Sequence, residues 1–320
     1  TEIEEIYLAQ TGQHLDGVLN IGTTNVGASN GVISKADVEK AKEDARRPQI
    51  PEGRSFIHYI QNPFSVDGVK VENPIHMHGK RLQVGFWAIH ADNKTLQDSL
   101  RVIMGIPLVV EDVIVSSIAS GNTLLQESEK KAGALVIDIG GGTSDFALYK
   151  DGYVVYTGVI PVGGDHISND LSMGLRTSVQ LADSLKLREG LASHAKRNSE
   201  ASTWLVGNQS IGDRKIPLIS VNKIVESRIR ELFELVREDL VDAKLYNPSE
   251  IATGVILTGG TSRIEGIEDI AEKVLDLKCT KGECAWNIDK DLNIPEYSTA
   301  LGLLLFALAV FEEKQSKNTN

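Results

Sequence analysis

A run of three glycines, residues 140–142, separates two apolar segments that are typical of β-strands. Asp138 lies just before the run, and Thr143 and Ser144 follow it. Consecutive glycines lose much conformational entropy on folding, so the run indicates that the backbone must stay bare here. Bare backbone N–H groups can approach phosphate oxygens and form an anion-binding concavity. We therefore predict a phosphate-binding hairpin, with Asp138 beside a hydrated Mg²⁺ and hydroxyl donors at Thr143 and Ser144.

A glycine-rich hairpin without a ligand is the alternative for this stretch taken alone. The stretch is not a Walker A loop, and it is not a dinucleotide fingerprint, because a strand follows the glycines where a helix should begin. A second turn, Gly259-Gly260, follows another apolar strand about 120 residues later. One nucleotide held between two lobes would need both turns, and such ligands usually bind in clefts between domains.

The composition excludes several classes of protein. The chain has 320 residues, of which 41% are hydrophobic and 24% are charged, as in ordinary globular proteins. A net charge of −11 disfavours a nucleic-acid partner. Cys279 and Cys284 are too few for a disulfide framework and too few for a zinc site, which favours a reducing cytosol. We interpret His76 and His78 as surface residues, because a third metal ligand is not evident.

The pattern along the chain predicts a small α+β unit followed by alternating strands and helices. A capping-box-like start at Ser34 with Asp37 opens the helix of the first unit, and the loop "VDGVKVENPIHMHGK" is interpreted as a boundary. Residues 219–244 form a long amphipathic helix, and residues 189–217 are irregular. The apolar run 300–311 is too short to span a bilayer and predicts a core helix, followed by a disordered polar tail.

Three motifs together resemble those of the actin-like ATPase superfamily. They are "VIDIGGGTSDFAL", "VIPVGGDHISNDL" and "GVILTGGTSRIEG", which are similar to its phosphate-2, connecting and adenosine motifs. More closely, the chain resembles the FtsA family of bacterial cell-division proteins over residues 2 to about 309. The further stretches that carry this resemblance are "IEEIYLAQTGQHLDG", "VENPIHMHGKRL", "LADSLKLREG" and "PEYSTALGLLLFAL".

The resemblance implies an α/β protein with an actin-like (ribonuclease H-like) two-lobed ATPase fold and an FtsA-type extra α+β subdomain. We assign residues 1–79 to the extra subdomain, 80–156 and 295–320 to the first lobe, 157–189 and 250–294 to the second lobe, and 190–249 to an insertion in the second lobe.

The resemblance also implies ATP and Mg²⁺ as ligands, with Asp138 holding the Mg²⁺ through water. The nucleotide-binding residues that it implies are Gly140, Gly141, Gly142, Thr143, Ser144, Gly163, Gly164, Asp165, Asp183, Lys186, Gly259, Gly260, Thr261 and Arg263. Residues 140–143 would bind the phosphates, and residues 163–165 would lie near phosphate or ribose. Asp183, in place of the more usual Glu, and Lys186 would meet ribose and base. Residues 259–261 would flank the adenosine, and the planar guanidinium of Arg263 could stack on adenine.

Two departures from the superfamily pattern bear on activity. A phosphate-1 strand-turn-strand should precede residue 1, and we expect the affinity of this chain for ATP to suffer without it. Active members often carry Glu or Gln to orient the attacking water, at a place that here matches Ser116. Serine is a poor general base without a partner, so we expect at most a slow ATPase, with nucleotide acting mainly as a conformational ligand.

The resemblance implies a partner set as well. FtsA-like proteins assemble into filaments and tether FtsZ to the cytoplasmic face of the inner membrane at the division site, through a C-terminal amphipathic helix that this sequence lacks. We expect the FtsZ C-terminal peptide to bind the exposed face of the long helix, and residues 1–79 to serve subunit contact and recruitment of later division proteins. The candidate residues on that helix are Arg228, Arg230, Glu231, Glu234 and Arg237. A merely solvated face is an equal alternative for each of them.

Two other interpretations stay open from the sequence. One is an active ATPase of the same fold, such as the nucleotide lobe of a heat-shock chaperone or a sugar kinase. Ser116 and the lack of a matching chaperone or sugar-binding pattern argue against it. The other is a pilus-assembly adaptor that resembles PilM, and the match of residues 1–79 to the FtsA subdomain argues against that.

Overall fold

The computed structural model describes residues 5–27, 30–105, 108–193, 200–205 and 212–318. Its strands are β1 (Glu5–Gln10), β2 (Leu15–Asn25), β3 (Arg54–Val66), β4 (Val69–Val71), β5 (Arg81–Asp92), β6 (Val109–Val115), β7 (Ala134–Ile139), β8 (Ser144–Lys150), β9 (Tyr153–Ile160), β10 (Ser202–Leu205), β11 (Arg214–Pro217), β12 (Gly254–Thr258) and β13 (Cys279–Lys281). Its helices are α1 (Lys35–Ala45), α2 (Asn93–Met104), α3 (Ser116–Leu124), α4 (Glu127–Ala132), α5 (Gly164–Leu175), α6 (Val179–Glu189), α7 (Leu218–Asp242), α8 (Ile267–Leu275) and α9 (Ser298–Asn318).

The first lobe contains a two-stranded parallel sheet, β1 with β6, and the helices α3 and α9 packed beside it. Parallel neighbours need a long crossover connection. Here the crossover runs through β2, α1, β3, β4, β5 and α2 before the chain returns to β6. An entire subdomain is therefore inserted between two adjacent strands.

The inserted subdomain is a four-stranded antiparallel sheet in the order β2-β5-β3-β4, with α1 against it. The capping box predicted at Ser34 and Asp37 is confirmed. Apolar residues of α1, among them Val38 and Ala41, pack with Phe64 and Phe86 of the sheet.

The structure places the subdomain boundaries differently from the predicted 1–79. Strand β1 pairs with β6 of the lobe, while β5, predicted to open the lobe, is a central strand of the subdomain sheet. The loop interpreted as a boundary contains β4, which pairs with β3 through the turn at Asp67 and Gly68. Periodicity within each strand carries no information on its partner, which is why these assignments failed.

The second lobe is a five-stranded mixed sheet in the order β13-β12-β7-β8-β9. Strand β12 runs parallel to β7, with Gly254 opposite Ala134 and Thr258 opposite Asp138. The predicted division at residue 156 is therefore wrong, because β7, β8 and β9 share a sheet with β12 and belong to the second lobe. Helices α5 to α8 pack around the large core of this lobe.

The segment predicted as an insertion, 190–249, carries the long helix α7. Its predicted apolar stripe is buried, as Val225, Ile229 and Leu240 illustrate, and it joins the core of the second lobe. The part predicted to be irregular contains the hairpin β10–β11. Residues 194–199 and 206–211 of that part lie outside the described residues.

Helix α9 is only partly the core helix that the sequence predicts. Gly302 packs against the backbone of Ala119 in α3, but Leu304, Leu308 and Phe311 are exposed. These residues line an apolar groove of about 860 Å³ between α9 and β1. By length and composition, the window Pro295–Glu312 could cross a membrane, with a mean hydropathy of 1.2 and 11% of the window buried. The tail predicted to be disordered continues α9 to residue 318.

Replacing Gly302 with Ala should destabilise the protein. A Cβ at this position would lie 1.9 Å from the carbonyl oxygen of Ala119, so α3 and α9 must separate. Overpacking of this kind costs about 1–3 kcal/mol, which exceeds the helix-propensity gain of about 1 kcal/mol for Gly to Ala. Urea unfolding measures the free energy difference. Gly212→Ala is the control, since a Cβ added there would meet nothing within 4 Å. Equal stability of G302A and G212A would contradict the packing argument.

Candidate functional site

The glycine run forms the turn between β7 and β8. The N–H of Gly140 donates to the carbonyl of Thr143 (2.9 Å), which closes the loop. Gly141 and Gly142 are exposed at its tip. Their bare backbone is open to a ligand, as the sequence predicts for a phosphate-binding turn.

The loop is bonded to the N-terminus of α5. The N–H of Gly164 donates to the carbonyl of Gly140 (3.0 Å), and the N–H of Asp165 donates to the carbonyl of Gly141 (2.8 Å). The N-terminus of a helix carries partial positive charge and favours anions. The glycine loop and the positive end of α5 therefore face the same space.

The second glycine turn reaches the same loop. Thr261, just after Gly260, donates its hydroxyl to the carbonyl of Gly140 (2.9 Å) across 121 residues of sequence. Gly259 has a φ of 82°. A Cβ there would lie 2.4 Å from Oδ1 of Asp138, so glycine is required for both its conformation and its space.

Both turns line one cavity of about 650 Å³ between the loop, α5, α6 and the turn after β12. Predicted residues in its lining are Gly140, Gly141, Gly164, Asp165, Lys186, Gly260, Thr261 and Arg263. Other lining residues, which the sequence did not indicate, include Arg188, Gly190 and Glu296. Gly163 lies directly behind the loop, since a Cβ there would be 2.4 Å from the carbonyl oxygen of Gly141.

Ser144 does not fit its predicted role as a phosphate donor. Its side chain is fully buried, and its hydroxyl donates to the carbonyl of Val162 (2.7 Å). Ser144 begins β8, a strand that is buried on both faces. The bond joins β8 to the segment that leads into α5, so Ser144 supports the loop from behind.

Lys186 and Asp183 on α6 form one polar cluster with α5. Lys186 Nζ donates to the carbonyl of Gly164 (3.0 Å) and to the hydroxyl of Ser168 (2.9 Å). Asp183 accepts from Ser168 (2.8 Å) and pairs with Lys186 (2.8 Å). The hydrogen bond from Lys186 is the main reason that the pKa of Asp183 is lowered. Asp183 is thereby kept ionised beside the cavity.

Arg263 lies at the cavity rim. Its guanidinium pairs with Glu296 at 2.7 Å, and its side chain is 64% exposed to solvent. The planar group is therefore accessible to a flat ligand entering the cavity. Exposed ion pairs of this kind contribute little to stability, so a ligand can compete for the arginine at small cost.

Asp138 is the second-to-last residue of β7, behind the loop. Its Oδ2 accepts hydrogen bonds from the hydroxyls of Ser120 (2.6 Å) and Thr299 (2.8 Å). Burial raises the pKa of this carboxyl against the lowering effect of those two bonds. Among the described residues, no group of three or more His, Cys, Asp or Glu could hold a metal by itself. A metal at Asp138 would need oxygens from the ligand and from water.

Asp145, which the sequence analysis missed, is a second buried carboxyl at this site. It lies opposite Asp138 in the β7–β8 ladder. Its Oδ2 accepts from Thr11 (2.5 Å) and Thr143 (3.2 Å), whereas its buried Oδ1 has no hydrogen-bond partner among the described residues. Burial raises its pKa to about 7. The signal in the sequence was its place two residues after Thr143, which puts it on the same face of the strand start.

Ser116 begins α3, close to the site. Its buried hydroxyl donates to the backbone carbonyl of Gln10 (3.1 Å). A backbone carbonyl cannot take the hydroxyl proton, so this contact does not turn the serine into a base.

The five charged residues predicted to bind a partner all lie on α7, but two of them also serve the fold. Arg228 makes a bidentate pair with Asp170 of α5 (2.6 and 3.0 Å). Arg237 donates to the carbonyl of Val274 in α8 (3.1 Å). Arg230 pairs with Glu226 along its own helix (3.0 Å), and the exposed Glu231 pairs with Arg228. Glu234 is half-buried.

Solved structures with a similar fold are bacterial actin-like proteins. The "PilM-PilN type IV pilus biogenesis complex" has a TM-score of 0.60 at 15% identity, covering 95% of this chain and 80% of that one. MreB5 of Spiroplasma citri bound to ADP has a TM-score of 0.54 at 22% identity, covering 71% and 67%. At these identities the likeness shows the fold alone. The sheets of the two lobes and these structural neighbours define an actin-like ATPase fold.

Sequence comparisons identify the family. The family model "Cell division protein FtsA" matches residues 135–302, and "SHS2 domain inserted in FTSA" matches residues 12–90. The cell division protein FtsA of Borreliella burgdorferi is 30% identical over 311 residues, which is 95% of this chain and 74% of that protein. The chain belongs to the FtsA family of bacterial cell-division proteins. The matched range 12–90 agrees with the subdomain that the structure forms from β2 to β5.

Asp145 should make the stability of the ligand-free protein depend on pH. Because its folded-state pKa is about 7 and its ordinary value is 3.8, its protonated form is favoured by folding. That contribution is complete below the ordinary pKa and is lost as pH rises through about 7. Between about pH 5 and about pH 8, the wild type should therefore lose more unfolding free energy than Asp145→Asn, by an amount on the order of 1 kcal/mol or more.

Denaturant unfolding at the two pH values measures this difference. Asp98→Asn, at an exposed position on α2, is the control and should follow the wild type. Parallel pH profiles for the wild type and D145N would show that the carboxyl is ionised throughout.

Proposed function

We propose that this protein binds ATP with Mg²⁺ in the cavity between the glycine loop, α5, α6 and the turn after β12. The observation that carries the proposal is the convergence of two separated glycine turns on the carbonyl of Gly140. The cavity combines bare backbone, a helix N-terminus and cationic side chains, which are the features that bind phosphates. The solved structure of MreB5 from Spiroplasma citri, which shares the fold, is described as bound to ADP.

The residues divide into groups by what they could recognise. The loop Gly140–Thr143 and the start of α5 would hold the phosphates, and Asp138 would hold Mg²⁺ through water. Lys186 and Asp183 would meet the ribose and base, and Arg263 would stack on the base. A bound Mg²⁺ supplies neutralisation of phosphate charge. The chain's own residues would orient the nucleotide.

We propose that hydrolysis is slow and that nucleotide acts mainly as a conformational ligand. By the resemblance, Ser116 matches the position at which active members carry Glu or Gln, and its hydroxyl is bonded to a backbone carbonyl. Asp145 is a buried carboxyl that the sequence analysis missed. Its hydrogen bonds to Thr11 and Thr143 hold it behind the glycine loop, where it supports the loop. A turnover above about 1 s⁻¹, the low end of typical enzymes, would refute this part of the proposal.

In the cell, we propose that the protein is a cytoplasmic adaptor at the division site. It would assemble with copies of itself, bind the C-terminal peptide of FtsZ through the charged face of α7, and hold FtsZ filaments at the inner membrane. The inserted subdomain would make subunit contacts and recruit later division proteins. Support comes from membership of the FtsA family and from the charged side chains of α7 that keep some solvent exposure, namely Arg230, Glu231 and Glu234.

Gly141→Ala should weaken ATP binding while leaving the fold intact. The added methyl would enter the exposed loop, and its nearest neighbour is the flexible carboxylate of Asp165 at 3.1 Å, which can move. A phosphate could no longer approach the backbone closely, so the dissociation constant should rise about tenfold or more, which is about 1.4 kcal/mol. Isothermal titration with ATP and Mg²⁺ measures it.

The matched control is Gly105→Ala, which has open space and a φ of −76°. Unchanged ATP affinity in G141A would remove the glycine loop from the binding site.

Arg230→Glu should reduce binding to FtsZ polymers. The side chain is 40% exposed and pairs with Glu226, whose side chain is only 15% exposed, so urea unfolding must first show that R230E is folded. Reversal of one interface charge should lower co-sedimentation with FtsZ about threefold or more, and FtsZ without its C-terminal peptide should already fail to bind. Lys290→Glu, at an exposed position before α9, is the charge-matched control. Equal co-sedimentation of R230E and K290E would remove this face of α7 from the interface.

A further inference from the structure

Thr11 occupies the junction between the first lobe and the inserted subdomain. β1 ends at Gln10 and β2 begins at Leu15, so Thr11 is the first residue of the connection that leaves the lobe. The residue is exposed in the structure, yet its side chain makes two specific contacts with the β7–β8 hairpin. No role for it followed from the motifs in the sequence.

The contacts of Thr11 are with the residues at the end of the glycine loop. Its hydroxyl donates to Oδ2 of Asp145 (2.5 Å) and lies 3.0 Å from the hydroxyl oxygen of Thr143. Thr143 also lies within donating distance of the same carboxylate oxygen (3.2 Å). These three contacts share two hydroxyl protons, because each hydroxyl donates only one hydrogen bond.

Thr11, Thr143 and Asp145 form one hydrogen-bonded group, and removal of either hydroxyl donor changes the bonds of the other two residues. A phosphate at the glycine loop accepts hydrogen bonds and competes for the hydroxyl of Thr143, the residue that closes the loop on Gly140. Asp145 is buried and already has one oxygen without a partner among the described residues. Loss of the Thr143 donor from this buried carboxyl group is costly, so Thr11 must keep its bond to Asp145 or shift together with it.

The subdomain touches the same sheet at a second point. Trp87 of β5 donates its indole N–H to the hydroxyl of Thr157 in β9 (3.0 Å), and its ring lies 5.2 Å from that of Tyr156. Gly17 of β2 packs so closely on Trp87 that a Cβ would come within 2.1 Å of the ring. Because β8 and β9 are paired along their length, a shift at Ser144 or Asp145 reaches Thr157 through the ladder.

We propose that Thr11 is a positioning residue that makes the site sensitive to the terminal phosphate of the nucleotide and transmits its presence to the inserted subdomain. The proposal rests on nucleotide binding at the glycine loop, as proposed above. A triphosphate and a diphosphate differ in how they engage Thr143, and Thr11 carries that difference across the connection to β2. The contact between Trp87 and Thr157 attaches the subdomain to β9 at a second point. The subdomain can shift relative to that point when Thr11 moves.

The test uses the full chain and two readouts that do not depend on turnover. Titration calorimetry gives the affinities for the ATP analogue AMPPNP and for ADP, each with Mg²⁺. Hydrogen–deuterium exchange gives the protection of peptides from β2 and β5 with each nucleotide. The variants are Thr11→Val, which removes the hydroxyl at constant shape, and Thr11→Ser, which keeps it. Thr280→Val, at an exposed position of β13, is the matched control.

In the wild type, AMPPNP should protect the β2 and β5 peptides more than ADP does. T11V should lose that difference, and its preference for AMPPNP over ADP should fall about tenfold, the effect of one hydrogen bond to a buried carboxyl group. T11S and T280V should behave as the wild type. Rescue by serine separates the hydroxyl's role from simple packing.

The proposal is overturned if T11V retains the wild-type preference and protection. It is also overturned if AMPPNP and ADP protect the wild-type subdomain equally. That measurement uses the wild type alone, so it does not depend on whether a variant folds. If the wild type binds neither nucleotide, both this inference and the proposed function are wrong. If it binds them and the Thr11 variants have no effect, this inference alone is wrong.

Discussion

The carbonyl oxygen of Gly140 is the point on which the site depends. It accepts one hydrogen bond from the N–H of Gly164 and another from the hydroxyl of Thr261. These donors belong to the start of α5 and to the turn after β12, which are remote in sequence. One backbone group therefore fixes three segments around one cavity. Because a carbonyl has two lone pairs, both bonds are made without competition.

This arrangement requires backbone segments to approach one another more closely than side chains allow. Gly163 lies against the carbonyls of Gly140 and Gly141, and Gly259 lies against Asp138 and the carbonyl of Ile139. The glycines thus have two separate purposes at this site. Some are exposed at the loop tip, as Gly141 and Gly142 are, and others let the loop, the helix and the second turn pack together. The entropic cost of glycine is offset by bonds that only this packing makes possible.

The local features of this chain could be predicted from its sequence, and the long-range pairings could not. The capping box at Ser34, the stripe of α7 and the strands that flank the glycine loop depend on neighbours in sequence, and they formed as expected. The lobe division failed, because β7 is apolar on both faces up to Asp138 and its pairing with β12 leaves no periodic signal.

The same reason explains the site residues that were missed or misassigned. The glycine motifs were visible, and the structure brings most of them to one cavity. Thr11 and Asp145 meet across 134 residues, and only the assembled fold shows that contact. Ser144 was misassigned because a motif gives residue types but not the direction of each side chain at the start of a strand.

The place of the inserted subdomain follows from sheet geometry. Ligands of α/β sheets bind outside the carboxyl ends of parallel strands, and the glycine loop and the Gly259 turn follow such ends, at β7 and β12. β1 also ends toward this region, since the residue after it contacts Thr143. An insertion in the crossover directly after β1 is therefore attached beside the glycine loop, whatever the insertion contains. A subdomain attached at the amino end of β6 instead would lie far from the loop. A single hydroxyl such as that of Thr11 could not then connect it to the loop.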